Sequence, residues 1–277
     1  MMKVLVINMA RDKRRREDMK RQLDSQKVDY EFFTGVDGKM IPQEDFEQIS
    51  DKEELEAKEN RPISELKGMV GCTYSHYLIY NKMVDENLEK VCVLEDDVIL
   101  SSDFAKYLDF LQNEIQHNEI VSLHTLLFGP IEFSNENRKF KECEILTPTP
   151  AKIRGAQGYV ITKYCAEQLM KEMMPIKEFP DCFIQYHLFC PDVQIRVLYP
   201  FILRHMWIES VRDDKMSGIK AELFNHFQKY RIFPFWNIIR SRRRKFNDRF
   251  ISSFMNSPYK NKMYHSSLKK VSIFDSI

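Results

Sequence analysis

The chain has no apolar run approaching the roughly 20 residues needed to cross a bilayer, which excludes a membrane-spanning helix. Its opening seven residues are too short for a signal-peptide core, and Asn8 and Arg11 break the apolar run beyond them. Six cysteines, at 72, 92, 143, 165, 182 and 190, form no C-x-x-C pair and none of the usual zinc spacings. The expectation is buried free thiols in a reducing compartment, and hence a cytoplasmic protein. Internal repeats and low-complexity segments are absent, which excludes a repeat array. Net charge is nearly absent as well: 42 basic against 41 acidic residues give +1. The balance is uneven, because residues 231–277 hold 11 basic and 2 acidic side chains and leave the first 230 at −8.

What is present suits a folded enzyme-sized domain. Apolar residues make up 43% and charged residues 30% of 277, enough for a sizeable core and too apolar for general disorder. The expected division is a globular domain over 1–215 and a basic, aromatic, mainly helical extension over 216–277. Residues 3–9 are Val/Ile-rich and predict a buried strand. A polar helix follows over 11–26, with Met19 and Leu23 one turn apart, and then a strand over 28–33 ended by Thr34-Gly35-Val36-Asp37-Gly38. That order makes a strand–helix–strand unit. Residues 42–59 carry eight acidic and two basic residues and predict a solvated helix or mobile loop. A helix is predicted over 68–87, with Val70, Tyr74, Tyr77, Leu78, Met83 and Val84 at helical spacing. An apolar strand over 91–94 runs into Glu95-Asp96-Asp97, and Ser101 and Ser102 can cap a helix over 103–116. Strands over 119–128, 139–146, 155–162 and 193–203 alternate with helices over 164–174 and 180–189. The alternation predicts an α/β fold with a mostly parallel central sheet flanked by helices.

The acidic triplet is the strongest chemical signal. Three adjacent carboxylates repel one another, and in open α/β sheets the carboxyl ends of strands border the ligand crevice. Alternation would send Glu95 and Asp97 to one side and Asp96 to the other. Two oxygen donors on one side suit Mn2+ or Mg2+; an acidic strand–loop junction in water is the other reading. Arg11, Arg14, Arg15 and Arg16 follow the first strand, as diphosphate ligands or as a solvated basic face. Ser75-His76 lies in an apolar helix, where a lone histidine is either a packing residue or a catalyst. Gly155-Ala156-Gln157-Gly158 lets backbone approach a ligand, or forms a bulge. Asp181, after Pro180, is an N-cap or a general base. In the tail, Phe224, Phe227, Phe233, Phe235, Trp236, Ile238 and Ile239 interleave with basic residues, ahead of Arg242-Arg243-Arg244-Lys245. An anionic membrane surface is preferred over nucleic acid as its partner, and packing onto the globule is the third reading.

The ordered set of motifs resembles glycosyltransferase family 25, the bacterial lipooligosaccharide galactosyl- and glucosyltransferases related to collagen galactosyltransferases. The matching pieces are V-I-N-M-A-R-D-K-R-R (6–15), F-F-T-G-V-D-G (32–38), G-x-x-G-C-x-x-S-H-x-x-x-Y (68–80), V-C-V-L-E-D-D-V-I-L (91–100), G-A-Q-G-Y-V-I-T (155–162) and P-D (180–181). The resemblance implies a GT-A-like fold, a nucleotide-activated hexose donor and inversion at the anomeric carbon. It puts the acidic metal motif on Glu95-Asp96-Asp97, with Glu95 and Asp97 on Mn2+ (or Mg2+); His205 is added as a third ligand apart from the resemblance, since related bacterial enzymes look to have Gln or another residue there. Asn8, Arg11, Arg15, Asp37, Ser75, His76, Gly155, Gln157 and Gly158 would line the nucleotide and substrate site. Asp181 is the first choice of base, with Asp96, Glu95 and His76 behind it. The implied partners are a UDP-hexose and a lipid-linked oligosaccharide, handled at the inner face of the cytoplasmic membrane. Two rivals remain. A metal-dependent phosphohydrolase would need a second cluster of metal ligands, which sequence spacing does not show. A non-catalytic membrane-associated scaffold would rest on the tail alone.

Overall fold

The computed structural model describes residues 2–127, 136–148, 153–180 and 188–205. Most of the helix expected over 180–189, and all of the extension expected over 216–277, lie outside these residues. The chain divides into two units, residues 1–126 with 133–206 and residues 127–132 with 207–277; the central sheet belongs to the first.

In chain order the elements are β1 (Lys3–Asn8), α1 (Lys13–Ser25), β2 (Tyr30–Thr34), a 3-10 turn (Gly38–Met40), α2 (Gln43–Ile49), α3 (Lys52–Glu59) and α4 (Ile63–Asp85). Then come β3 (Lys90–Glu95), β4 (Val98–Leu100), α5 (Phe104–Glu114), β5 (Glu119–Ser122) and β6 (Leu126–Leu127). The last are β7 (Arg138–Lys139), β8 (Glu144–Leu146), β9 (Ile153–Arg154), β10 (Gly158–Thr162), α6 (Lys163–Met173), β11 (Gln194–Tyr199) and β12 (Leu203–His205). Eight strands form one sheet in the order β2-β1-β3-β10-β5-β11-β8-β7. β10 and β8 run against the other strands, so the sheet is mixed but mainly parallel in direction.

Alternation along the strands sorts the two faces. Val4, Val6, Cys92, Leu94, Val121 and Val160 pack with Met19 and Leu23 of α1 and Phe104, Leu108 and Leu111 of α5. Each such fully buried aliphatic side chain contributes about 1.5–3 kcal/mol of transfer free energy. Tyr159, one residue from Val160, points to the opposite face, where it meets His76 and Tyr80 of α4.

Two expectations hold for the helix and miss its buried face. The acidic segment 42–59 forms α2 and α3, and Phe46 and Leu55 are buried against Leu66, Val70, Ile176 and Phe179. A count of charges hides two well-placed apolar anchors. On α4 the buried side chains are Leu66, Val70, Thr73, Ser75, His76, Ile79, Tyr80 and Met83, whereas Tyr74 and Tyr77 lie only half-buried and stack on each other. The inward face of this helix is partly polar, so apolar spacing alone misjudges it.

One buried carboxylate is structural. Glu119 is fully buried and accepts from Arg196 Nε at 2.9 Å and Arg138 at 2.5 Å. Two guanidiniums compensate its desolvation and tie β5 to β11 and β7.

Candidate active site

β1, β2 and β3 are mutually parallel, so their carboxyl ends share one edge of the sheet; Ile7 is in register with Glu95, and Asn8 with Thr34. Asn8 ends β1 on the α1 face, as Val4 and Val6 do. Its Nδ2 donates to Asp96 Oδ2 at 2.7 Å and to the Asp12 carbonyl at 3.2 Å. Arg15, in the first turn of α1, donates to Asp96 Oδ1 at 3.1 Å and stands 3.7 Å from Asp97 Oδ2. Asp96 therefore has a donor on each oxygen. Burial, with the Asp97 charge, nevertheless holds Asp96 above the usual carboxylate range despite Asn8 and Arg15. Burial opposes the charge on Arg15, but Asp96 and Asp97 outweigh it and bind its proton more firmly.

The alternation expected for the triplet stops at its first member. β3 ends at Glu95, and Asp96-Asp97 form a turn. Asp97 comes to Arg15 beside Asp96, while Glu95 lies on the α4 face. There Glu95 Oε1 is 3.8 Å from His76 Nε2 and 4.0 Å from Cys72 Sγ. His76 is fully buried, and its Nδ1 lies 2.7 Å from the Tyr159 hydroxyl, which lies 2.7 Å from the Tyr80 hydroxyl.

The other expected residues separate into groups. Arg11 pairs with Asp37, whose side chain also caps the 3-10 turn through Lys39 N. Ser75 accepts from Val36 N and donates to the Gly71 carbonyl, both at 2.8 Å, and so fastens α4 to the turn carrying Asp37. Gly155 has φ +116°, a backbone that favours glycine. The Gln157 carbonyl accepts from Glu95 N at 2.9 Å, joining that segment to β3. The space beside Gly158 is filled by Leu203 and Leu94, so the close approach at this glycine is by packed side chains. His205 stands opposite Val98 in the β12–β4 register, which sets its backbone next to the acidic turn. Asp181 lies outside the described residues.

Cys72, Tyr80 and Tyr159 stand within the quoted motifs, but sequence reading gives them no role in this region. The available signal was the four-residue spacing of Cys72 and His76, which puts both on one helix face. Among the described residues, Cys92, Cys143, Cys165 and Cys190 are free thiols. Burial pushes the Cys165 thiol up to about 12 and Cys92 higher still, as expected of packed thiols. No helix of the described residues is long and apolar enough to cross a membrane.

Among the described residues the three carboxylates do not converge on one point: Asp97 stays with Asp96 beside Arg15, while Glu95 faces Cys72 and His76, so a hard divalent ion would find its oxygen donors on the Asp97 side.

The profile of glycosyltransferase family 25 (LPS biosynthesis protein) matches residues 1–184. The chain is 29% identical over 191 residues to procollagen galactosyltransferase 2 of Homo sapiens, covering 64% of this chain and 29% of that one. It is 26% identical over 199 residues to the lipooligosaccharide biosynthesis protein lex-1 of Haemophilus influenzae, covering 62% and 64%. A solved glycosyltransferase involved in glycosylation of the major capsid of PBCV-1 aligns at 12% identity and TM-score 0.39, covering 78% of this chain and 99% of that one. The matched stretch thus spans less than a third of the procollagen enzyme. The chain belongs to glycosyltransferase family 25.

Proposed function

We propose that this chain is an inverting, GT-A-like hexosyltransferase that moves galactose, or glucose, from a UDP-sugar to a lipooligosaccharide or lipopolysaccharide acceptor. The observation that carries the reading is the pinning of Asp96 between Asn8 and Arg15 at the carboxyl ends of β1 and β3, with Asp97 beside it. Family membership supports transfer. The names of the lex-1 and procollagen relatives support a saccharide acceptor and a galactosyl donor.

Asp97, with His205 as a further ligand, would hold Mn2+ or Mg2+, which when bound neutralises the departing diphosphate; Glu95, on the α4 face, drops out of that expected set. The chain's own groups do the rest. Asn8 and Arg15 fix Asp96 so that the acidic turn keeps one shape through turnover. Arg15 and Arg11 offer guanidiniums to the diphosphate, and Asp37, on the turn that Ser75 fastens, borders the nucleoside. Inversion needs a single displacement: a carboxylate takes the acceptor hydroxyl proton as that oxygen bonds to the anomeric carbon and the bond to UDP breaks. Both Asp96 oxygens are engaged, so we give this role to Asp181. The extension over 216–277, with its basic tail, would hold the enzyme on the anionic inner face of the cytoplasmic membrane, near lipid-linked acceptors.

The rival hydrolase has one observation in its favour, since the fold does assemble a second donor group, Cys72, His76 and Glu95. Incubation with UDP-galactose or UDP-glucose, Mn2+ and a panel of saccharide acceptors separates the two. Transfer predicts UDP release that depends on acceptor, with an extended saccharide of inverted anomeric configuration. Equal release without acceptor would favour hydrolysis.

A further inference from the structure

We propose that Cys72, His76 and Glu95 form a site for Zn2+ or another borderline-soft divalent ion. Cys72 and His76 lie one turn apart on α4, and Glu95 ends β3 directly opposite. One donor atom from each falls within 4.8 Å of the other two. A tetrahedral centre spaces its donors roughly 3.5 Å apart, so thiolate, imidazole and carboxylate would draw together, by up to about an ångström, around a bound ion.

The histidine is the second, independent observation. It is fully buried, and its Nε2 has no hydrogen-bond partner among the described residues, yet it is aimed at Glu95 and lies 3.8 Å from Oε1. A buried imidazole nitrogen left without a partner is costly. Its other nitrogen is held by the Tyr159 hydroxyl, in turn backed by Tyr80. In the tautomer that donates from Nδ1 to Tyr159, the lone pair of Nε2 faces Glu95 and Cys72. A metal-bound histidine usually donates its other ring N–H to an acceptor that fixes ring and tautomer, and the Tyr159 hydroxyl stands in that place. Sulfur and nitrogen donors favour Zn2+ over the hard ions suited to the all-carboxylate side. Three protein ligands leave a fourth position open. Binding releases the Cys72 thiol proton.

The site stands apart from glycosyl transfer, so it is tested without sugar nucleotide. The reduced full chain, stripped by chelator, is titrated with Co2+ alone and then with Zn2+. We expect one equivalent to bind with thiolate-to-cobalt charge-transfer absorption, and Zn2+ to displace it. Cys72→Ser should lose that absorption. Tyr159→Phe should weaken Co2+ binding about tenfold, while Asp97→Asn and Cys190→Ser leave it in place. Alkylation of Cys72 in the unmodified chain, read by peptide mass, should slow when Zn2+ is added, which removes dependence on the folding of any variant. Absence of the absorption in the unmodified chain, its persistence in Cys72→Ser, or alkylation indifferent to Zn2+ would each overturn the proposal.

Discussion

Gly71 of α4 meets Gly38 backbone to backbone. A β-carbon on Gly71 would stand 2.6 Å from the Val36 carbonyl oxygen and closer still to Gly38 N. One turn on, Ser75 Oγ takes the Val36 amide at 2.8 Å. The two contacts lock α4 against the turn that carries Asp37, and so set one wall of the proposed nucleotide site. They also give two of the sequence motifs, F-F-T-G-V-D-G and G-x-x-G-C-x-x-S-H, a shared physical purpose.

Gly71→Ala should therefore push the turn away from α4. Overpacking of this kind costs about 1–3 kcal/mol, and displacement of Asp37 should raise the KM for sugar nucleotide. Urea unfolding checks the first effect and initial-rate kinetics the second. An unchanged midpoint would mean that the turn yields without strain.

The raised Asp96 pKa predicts a pH dependence of stability. In the unfolded chain this carboxyl titrates near its ordinary 3.8, while burial holds it higher in the fold. Between those values the folded state binds more protons. This contribution to stability is therefore fully present below about 3.8 and is lost as pH rises through the folded value. Asp96→Asn cannot titrate. The thermal midpoint of the unmodified chain minus that of Asp96→Asn, both in chelator, should fall as pH is raised from 4. A difference that grows with pH would contradict the assignment.

Leu55→Ala tests the burial of the acidic segment. Leu55, on the inner face of α3, is 1% exposed and packs with Phe46, Leu66, Val70 and Phe179. Truncation should cost about 2–5 kcal/mol, read from the urea midpoint at constant slope. A solvated helix would lose almost nothing.

Much of the frame is legible in the residues alone. Continuous Val/Ile/Leu runs mark β1 and β3 because both faces of a central strand are covered. Met19 and Leu23 give away the single apolar stripe of α1. What periodicity could not reach were the places where long-range packing decides. Phe46 and Leu55 are too few among charges to signal burial, and only the fold shows α2 and α3 closing on α4. The inward face of α4 carries Ser75, His76 and Tyr80, which no apolar count selects. Within the acidic triplet, alternation holds only while the strand lasts, and β3 ends at Glu95. Asp97 therefore joins Asp96 beside Arg15 rather than Glu95 beside His76. The meeting of Cys72 and His76 with Glu95 depends on α4 docking on β3, which spacing within either element does not encode.

The most direct test of the functional account is the activity of Asp97→Asn with UDP-hexose and saccharide acceptor, measured with Mn2+ and again in excess chelator. The acidic turn is held by Asn8 and Arg15 through Asp96, so the variant should keep its fold by circular dichroism and lose turnover and metal response together. Full transfer by this variant in chelator would contradict the account.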